Sequence, residues 1–180
     1  MSEDRDRSKF DLLRYAVWTD LALAEHLVTE DPTLLHAKNG IGETVLHYAA
    51  VENGINEVSW LIARGSDINT RSDFGETPLM EAATLDHYKM CKMLLENGAD
   101  PLPLDQVNES ALSHAAMNIV SKTSDTATLE LILEFLKGHD INQFFDDLQL
   151  ELLYGNAHPD VIKVLSACGL RAFDPTDDSE

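Results

Sequence analysis

The chain has 180 residues and suits one domain of ordinary size. It carries 32 Asp and Glu against 13 Lys and Arg, a net charge of −19. This charge disfavours binding to nucleic acid or anionic lipid and favours a partner with a basic surface patch. No apolar run approaches 18 residues, which excludes a membrane span, and the charged start MSEDRDRSKF is unlike a secretory signal. We therefore expect a cytoplasmic protein.

The first elements lie in residues 1–38. Residues 1–8 are expected to be a flexible N-terminal tail. Residues 9–38 form the first of five units, because Leu13 and Ala16 lie 33 positions before Leu46 and Ala49. This unit lacks a Thr-Pro helix start, as a capping unit does.

The second and third units, at about 39–71 and 72–104, repeat most clearly. GETVLHYAA at 42–50 and GETPLMEAA at 75–83 share six of nine letters. Thr77 suits a helix cap and Pro78 a first helical turn, followed by an apolar face ending in a small Ala pair. Asn53 and Asp86 predict a left-handed end to the first helix. A second helix is expected over 88–96, closed by Gly98.

The last two units are irregular. The fourth, at about 105–144, keeps the first helix but carries extra residues at 118–127, where we expect a longer helix or loop. The fifth, at about 145–171, keeps a clean second helix that starts near Pro159 and Asp160. An acidic C-terminal tail is expected at 172–180.

The unit resembles the ankyrin repeat. That family's consensus starts with Gly-x-Thr-Pro-Leu-His-x-Ala-Ala, as in residues 42–50 and 75–79, and ends with Leu-Leu-x-x-Gly-Ala-Asp, as in residues 94–100. The resemblance implies an all-α solenoid of stacked helix-turn-helix units joined by β-turn or hairpin loops, with capping units at both ends. It also implies a partner-binding concave face, formed by the first helices of the units and the turn tips between units.

Catalytic and metal motifs are missing from the sequence. None of the seven histidines stands in HExxH or finger spacing, and no phosphate loop or nucleophile elbow occurs. The resemblance makes His47, His87 and His158 structural. We therefore expect a non-enzymatic protein, with no cofactor and no metal.

Function is expected at the columns that differ between units. The concave face and tips present aromatic, apolar and charged side chains of the kinds that dominate interface energetics. The candidate partner-binding residues are Tyr15, Trp18, Tyr48, Val51, Glu52, Arg71, Asp73, Phe74, Glu76, Glu81, Leu85, His114 and Met117. Trp18 has an equally good interpretation as a cover for the N-terminal edge of the core.

Two functions remain open at this point. The chain is either a general protein–protein interaction module, monomeric on its own, or a dedicated inhibitor. Such an inhibitor would be an immunity protein that covers the active site of a basic toxin or nuclease-like enzyme. The acid excess fits both.

Overall fold

Pairs of short helices follow one another along the chain at the predicted step. The structure is a computed structural model that describes residues 2–119 and 125–172. Within these residues its helices are α1 (Ser2–Thr19), α2 (Leu21–Glu30), α3 (Val45–Val51), α4 (Ile55–Ala63), α5 (Pro78–Thr84), α6 (Tyr88–Glu96), α7 (Ala111–Ile119), α8 (Ala127–Phe135), α9 (Asp147–Asn156) and α10 (Pro159–Ala167). Short 3₁₀ turns occupy Pro32–His36 and Ile141–Phe144. The predicted all-α stack is confirmed.

Each turn tip is held by one polar side chain at a fixed place in the unit. In the fourth unit, Asp105 Oδ1 accepts the backbone N–H groups of Val107 and Glu109 at 2.9 and 2.8 Å. Asn39 and Ser72, at 33-residue spacing before Asp105, accept the equivalent N–H groups through their own side-chain oxygens. Different residue types thus perform one structural task, because each offers a side-chain oxygen that reaches the backbone N–H groups two and four residues further on.

The tips also need a left-handed residue. Gly42 and Gly75 have φ of 77° and 83°, and Asn108 takes the same place in the fourth unit with φ 63°. A Cβ on Gly42 would lie 2.5 Å from the backbone nitrogen of Asp73, so the next tip packs directly on this glycine. The predicted left-handed helix ends at Asn53 and Asp86 are also present.

Neighbouring units pack through their first helices. These inner helices lie side by side in the order α1, α3, α5, α7, and the outer helices α4, α6 and α8 follow the same order. The paired alanines at 49–50, 82–83 and 115–116 are buried at the contacts between inner helices. Buried side chains of α9 and α10 join the same core. Small residues allow close approach of the helices, so the apolar face of each unit is covered by its neighbour.

Backbone hydrogen bonds join successive tips. The N–H of Asp73 donates to the carbonyl of Ile41 at 3.0 Å, and the N–H of Gln106 donates to the carbonyl of Phe74 at 2.9 Å. Lys38 and Thr44 form an isolated antiparallel bridge within the second tip, which opens the second unit. The tips are therefore a connected row, which fixes the position of any side chain that they present.

Two expectations differ from the structure or fall outside it. Residues 2–8, expected as a tail, are the first turns of α1, which continues the helical pattern of the first unit towards the N-terminus. In the 118–127 insertion, residues 120–124 lie outside the described residues, as do residues 173–180 of the predicted acidic tail. Apart from the N-terminal turns of α1, the helix pairs fall inside the predicted units, whose boundaries stay a prediction.

The contact between inner helices is testable at Ala83. We expect Ala83→Leu to lower the free energy of unfolding by about 1–3 kcal/mol, because a larger side chain overpacks a contact with no spare volume. Urea unfolding measures the change. Ala63→Leu is the matched control, since Ala63 is exposed on α4 and the same substitution there should be nearly neutral. Equal stability of the Ala83→Leu variant and the parent would contradict the packing described above.

Candidate functional site

One set of equivalent positions on the inner helices, called a column here, differs from unit to unit in how far its side chains are exposed. Tyr15, Tyr48, Glu81 and His114 stand 33 residues apart on α1, α3, α5 and α7. Tyr15 is 61% exposed, Tyr48 and His114 are partly buried, and Glu81 is only 8% exposed. The column therefore runs from an open aromatic end to a closed polar centre.

The open end is an aromatic patch formed by Tyr15, Trp18 and Tyr48. The rings of Trp18 and Tyr48 meet edge to face, with centroids 5.2 Å apart and planes at 74°. The Arg14 guanidinium lies 5.2 Å from the centroid of the Tyr48 ring. Trp18 thus contacts a ring of the neighbouring unit and still exposes part of its own surface, and its role in partner binding stays a prediction.

The remaining helix positions flank this column. Val51 and Met117 are partly buried near the C-terminal ends of α3 and α7, and Glu52 and Leu85 are exposed directly after α3 and α5. All four residues keep accessible surface. They extend the accessible part of the concave face.

The turn tips combine exposed side chains with structural ones. Phe74 is 53% exposed and Asp73 is also exposed. Arg71 donates from Nη2 to the carbonyl of Leu104 in the next tip, while its own carbonyl accepts from Lys38 Nζ at 2.9 Å. Arg71 therefore connects neighbouring tips, whereas Phe74 leaves its ring open to a partner.

Glu81 corrects one sequence expectation. The column position was expected to point outward, but the side chain is buried and its Oε2 has no hydrogen-bond partner among the described residues. Burial, together with the negative charges of Glu43 and Glu76, raises the pKa of Glu81 to about 8. The groups whose charges act on Glu81 include Glu43 from the preceding unit, a proximity that a helical pattern alone does not reveal.

His114 lies in the next unit among acidic groups. Its Nε2 lies 3.1 Å from Asp105 Oδ2 and 3.8 Å from Glu109 Oε2, while Nδ1 lies 2.8 Å from Thr84 Oγ1. Together these units present an acidic basin, defined here as Glu43, Glu76, Glu81, Asp105 and Glu109. Glu43, Asp105 and Glu109 were missed as site residues, although the 33-residue column of Glu43, Glu76 and Glu109 was a usable signal.

The histidines expected to be structural fulfil that role at two places. The N–H of Thr44 donates to His47 Nδ1 at 3.1 Å, so the opposite nitrogen carries the proton and donates to the carbonyl of Glu76 at 3.2 Å. Burial lowers the pKa of His47, which keeps the ring neutral. His87 Nδ1 lies 3.3 Å from the carbonyl of Ala50 in the preceding unit.

A groove lies on the opposite side, between the outer helices α6, α8 and α10. It encloses about 490 Å³ and is lined by residues such as Tyr88, Leu131 and Val164. None of the predicted partner-binding residues lines this groove. The outer face is therefore the natural comparison surface for any experiment on the concave face.

Comparison with known proteins identifies the repeated unit. The family model for ankyrin repeats, in three copies, matches residues 13–105. Ankyrin repeats are generally non-enzymatic protein–protein interaction modules. None of the helices in the described ranges has the length and apolar character needed to cross a bilayer.

Similar stretches occur in proteins of very different kinds. The chain is 34% identical over 87 residues to the serine/threonine-protein kinase VIK of Arabidopsis thaliana, covering 48% of this chain and 20% of the kinase. It is 32% identical over 118 residues to the probable E3 ubiquitin-protein ligase XBOS31 of rice, covering 64% of this chain and 26% of the ligase. It is 29% identical over 127 residues to the interferon antagonist OPG039 of monkeypox virus, covering 71% of this chain and 40% of the viral protein. The chain thus spans well under half the length of each of these relatives.

The buried carboxyl of Glu81 makes stability depend on pH. Its folded pKa of about 8 exceeds the ordinary 4.5, so the stabilising protonated form is fully present below pH 4.5 and is lost as pH rises through 8. Relative to Glu81→Gln, we expect the parent to lose roughly 1–3 kcal/mol of unfolding free energy between pH 5 and 8.5. Urea unfolding in EDTA-containing buffer measures this loss.

The control for this titration is Glu52→Gln, which removes an equal charge from an exposed position. Its unfolding free energy should follow the parent across the same pH range. Parallel pH profiles for the parent and the Glu81→Gln variant would show that Glu81 is ionised and solvated in the folded protein.

Proposed function

The chain belongs to the ankyrin repeat family, and from this premise we propose that its concave face and turn tips bind a partner protein with a basic surface patch. The binding residues in this proposal are those of the predicted set other than Glu81, whose side chain is buried. Binding needs no chemistry from the chain itself, so the protein acts as a non-enzymatic module. Its cytoplasmic location and its monomeric state when unbound remain predictions.

The observation that carries the proposal is the aromatic patch beside the acidic basin. Tyr48 on α3 and Glu81 on the neighbouring α5 occupy one column, so the two features adjoin on one surface. Tyr and Trp offer large contact areas at low entropic cost, and the Trp18–Tyr48 contact orders both rings before a partner arrives. A partner that presents an apolar side chain to the patch can place a basic one towards the basin.

Charge supports the basic character of the partner. The basin brings five carboxyl groups together, and the chain as a whole carries −19. Such a field raises the local concentration of basic surfaces and speeds their encounter. Exposed Phe74 at the third tip extends the apolar contact beyond the helices.

A dedicated inhibitor is the alternative function, and the acidic basin is the observation that favours it. An active site that binds a polyanionic substrate is basic, so an acidic concave face can cover it by charge complementarity. One of the relatives is named an interferon antagonist, which places an antagonist among proteins with similar repeats. The two functions separate in an activity assay: an inhibitor abolishes the captured partner's enzymatic activity at equimolar concentration, whereas an adaptor leaves it intact.

The aromatic surface is tested by replacing Tyr48 and Phe74 together with alanine. We expect affinity for a captured partner to fall about 30-fold or more, since anchor residues of this kind contribute about 2 kcal/mol or more. Surface plasmon resonance measures the affinity, and circular dichroism checks the fold.

The matched control replaces Tyr88 and Phe135, an exposed Tyr and Phe on the outer helices. This pair should leave the affinity unchanged. If the control pair weakens binding and the Tyr48 and Phe74 pair does not, the partner docks on the outer groove and the concave assignment is wrong.

The charge is tested by the salt dependence of association. Between 50 and 500 mM NaCl we expect the association rate to fall about tenfold or more, with a smaller change in the dissociation rate, because screening removes long-range attraction. Stopped-flow fluorescence of the Trp18–Tyr48 region measures the rate. A salt-independent association rate would leave the negative charge a solubility feature only.

A further inference from the structure

Three side chains from two neighbouring units converge at the centre of the basin. Glu76 comes from the third tip, and Asp105 and His114 come from the fourth unit. One potential ligand atom of each lies within 4.8 Å of the other two. Around a divalent ion with bonds of about 2.0–2.2 Å, ligand atoms are about 3–4.5 Å apart. Small rotations of the three side chains would therefore bring their ligand atoms to the distances found around a bound metal ion.

The hydrogen bonds of His114 leave one ring nitrogen available. The Thr84 hydroxyl donates to the carbonyl of Met80 at 3.0 Å, so it accepts from the His114 ring at 2.8 Å. Nδ1 therefore carries a proton, and in the neutral ring Nε2 has a free lone pair. A histidine ligand whose second nitrogen is held by an outer partner is the usual arrangement at metal sites.

Asp105 also keeps one potential ligand atom available. Its Oδ1 is occupied by two backbone N–H groups of the turn, which leaves Oδ2 to face His114 Nε2 at 3.1 Å. The side chains of Asp105 and His114 are only 5% and 10% exposed. With Nε2 unprotonated, the lone pairs of His114 Nε2 and Asp105 Oδ2 face each other at a site with little access to water. Their repulsion is relieved by a positive charge between the two atoms, either a proton or a metal ion.

The number of negative charges favours the metal ion. Glu76 and Glu109 also face this place, so a single proton on His114 leaves two of three carboxylates uncompensated. A separate observation points the same way. Glu81, on the neighbouring inner helix α5, is buried, and its Oε2 has no hydrogen-bond partner among the described residues. A buried carboxyl oxygen of this kind requires a proton or a cation.

We propose that Glu76, Asp105 and His114 bind a divalent metal ion of the zinc class, with Glu109 able to complete the coordination. One imidazole nitrogen and carboxylate oxygens suit Zn²⁺. The ion joins the third tip to the fourth unit, so its effect is to stabilise the contact between two units. Glu76 and His114 also belong to the predicted partner-binding set, but this inference concerns an ion and the stability of the stack, so zinc titration of the chain without a partner tests it separately.

The test is a calorimetric titration of ZnCl₂ into the protein after EDTA treatment and removal of the chelator. A Cys168→Ser background removes an exposed thiol that would bind zinc independently. We expect binding at one site and a higher melting temperature with zinc present. Glu76→Gln and His114→Gln should each weaken zinc binding by about tenfold or more.

Glu76→Gln is the decisive variant, because Glu76 supports its turn through backbone groups that the substitution keeps. His139→Gln is the control, since His139 is exposed after α8 and should leave zinc binding unchanged. A His114 ring whose ¹⁵N shift at Nε2 moves on addition of ZnCl₂ supports the site directly. Absence of zinc binding by the parent, or equal binding by the parent and both site variants, overturns the proposal and leaves His114 an ion pair with Asp105.

Discussion

A pair of short antiparallel helices cannot cover its own apolar side, and everything else in this chain depends on that constraint. Each inner helix packs against the outer helix of its own unit and against the inner helices of neighbouring units, where buried alanine pairs allow close approach. Because the contact repeats, the backbone at every unit is held in the same frame. Side chains at equivalent places can then differ freely without loss of the fold.

The same constraint explains why chemically different side chains accept the same backbone hydrogen bond in successive units. At the start of the inner helices, the backbone N–H of Thr44 donates to His47, that of Thr77 to Met80 Sδ, and that of Ser110 to Ser113 Oγ. The stack requires an acceptor at this place and tolerates a nitrogen, a sulfur or an oxygen. A histidine here is a structural residue, whereas His114, one position further along the helix, faces the basin.

Much of the fold could be predicted from the sequence because its signals are local. The 88–96 helix, the left-handed Asn53 and Asp86, and the closing Gly98 all follow from residue type and spacing. The basin could be predicted only in part. Glu81 has the pattern of an outward residue, and its burial depends on the packing of the surrounding units, which no helical spacing encodes. The convergence of Glu76 with Asp105 and His114 likewise depends on how two units pack.

Function in this account resides on the face of the stack formed by the inner helices and tips. Hydrogen–deuterium exchange of the chain, alone and with a captured partner, tests that claim most directly. With the partner bound, we expect slower exchange at α3, α5 and α7 and at the tips near 38–44, 71–77 and 104–110. Exchange at α4, α6 and α8 should stay unchanged. Protection confined to the outer helices would contradict it.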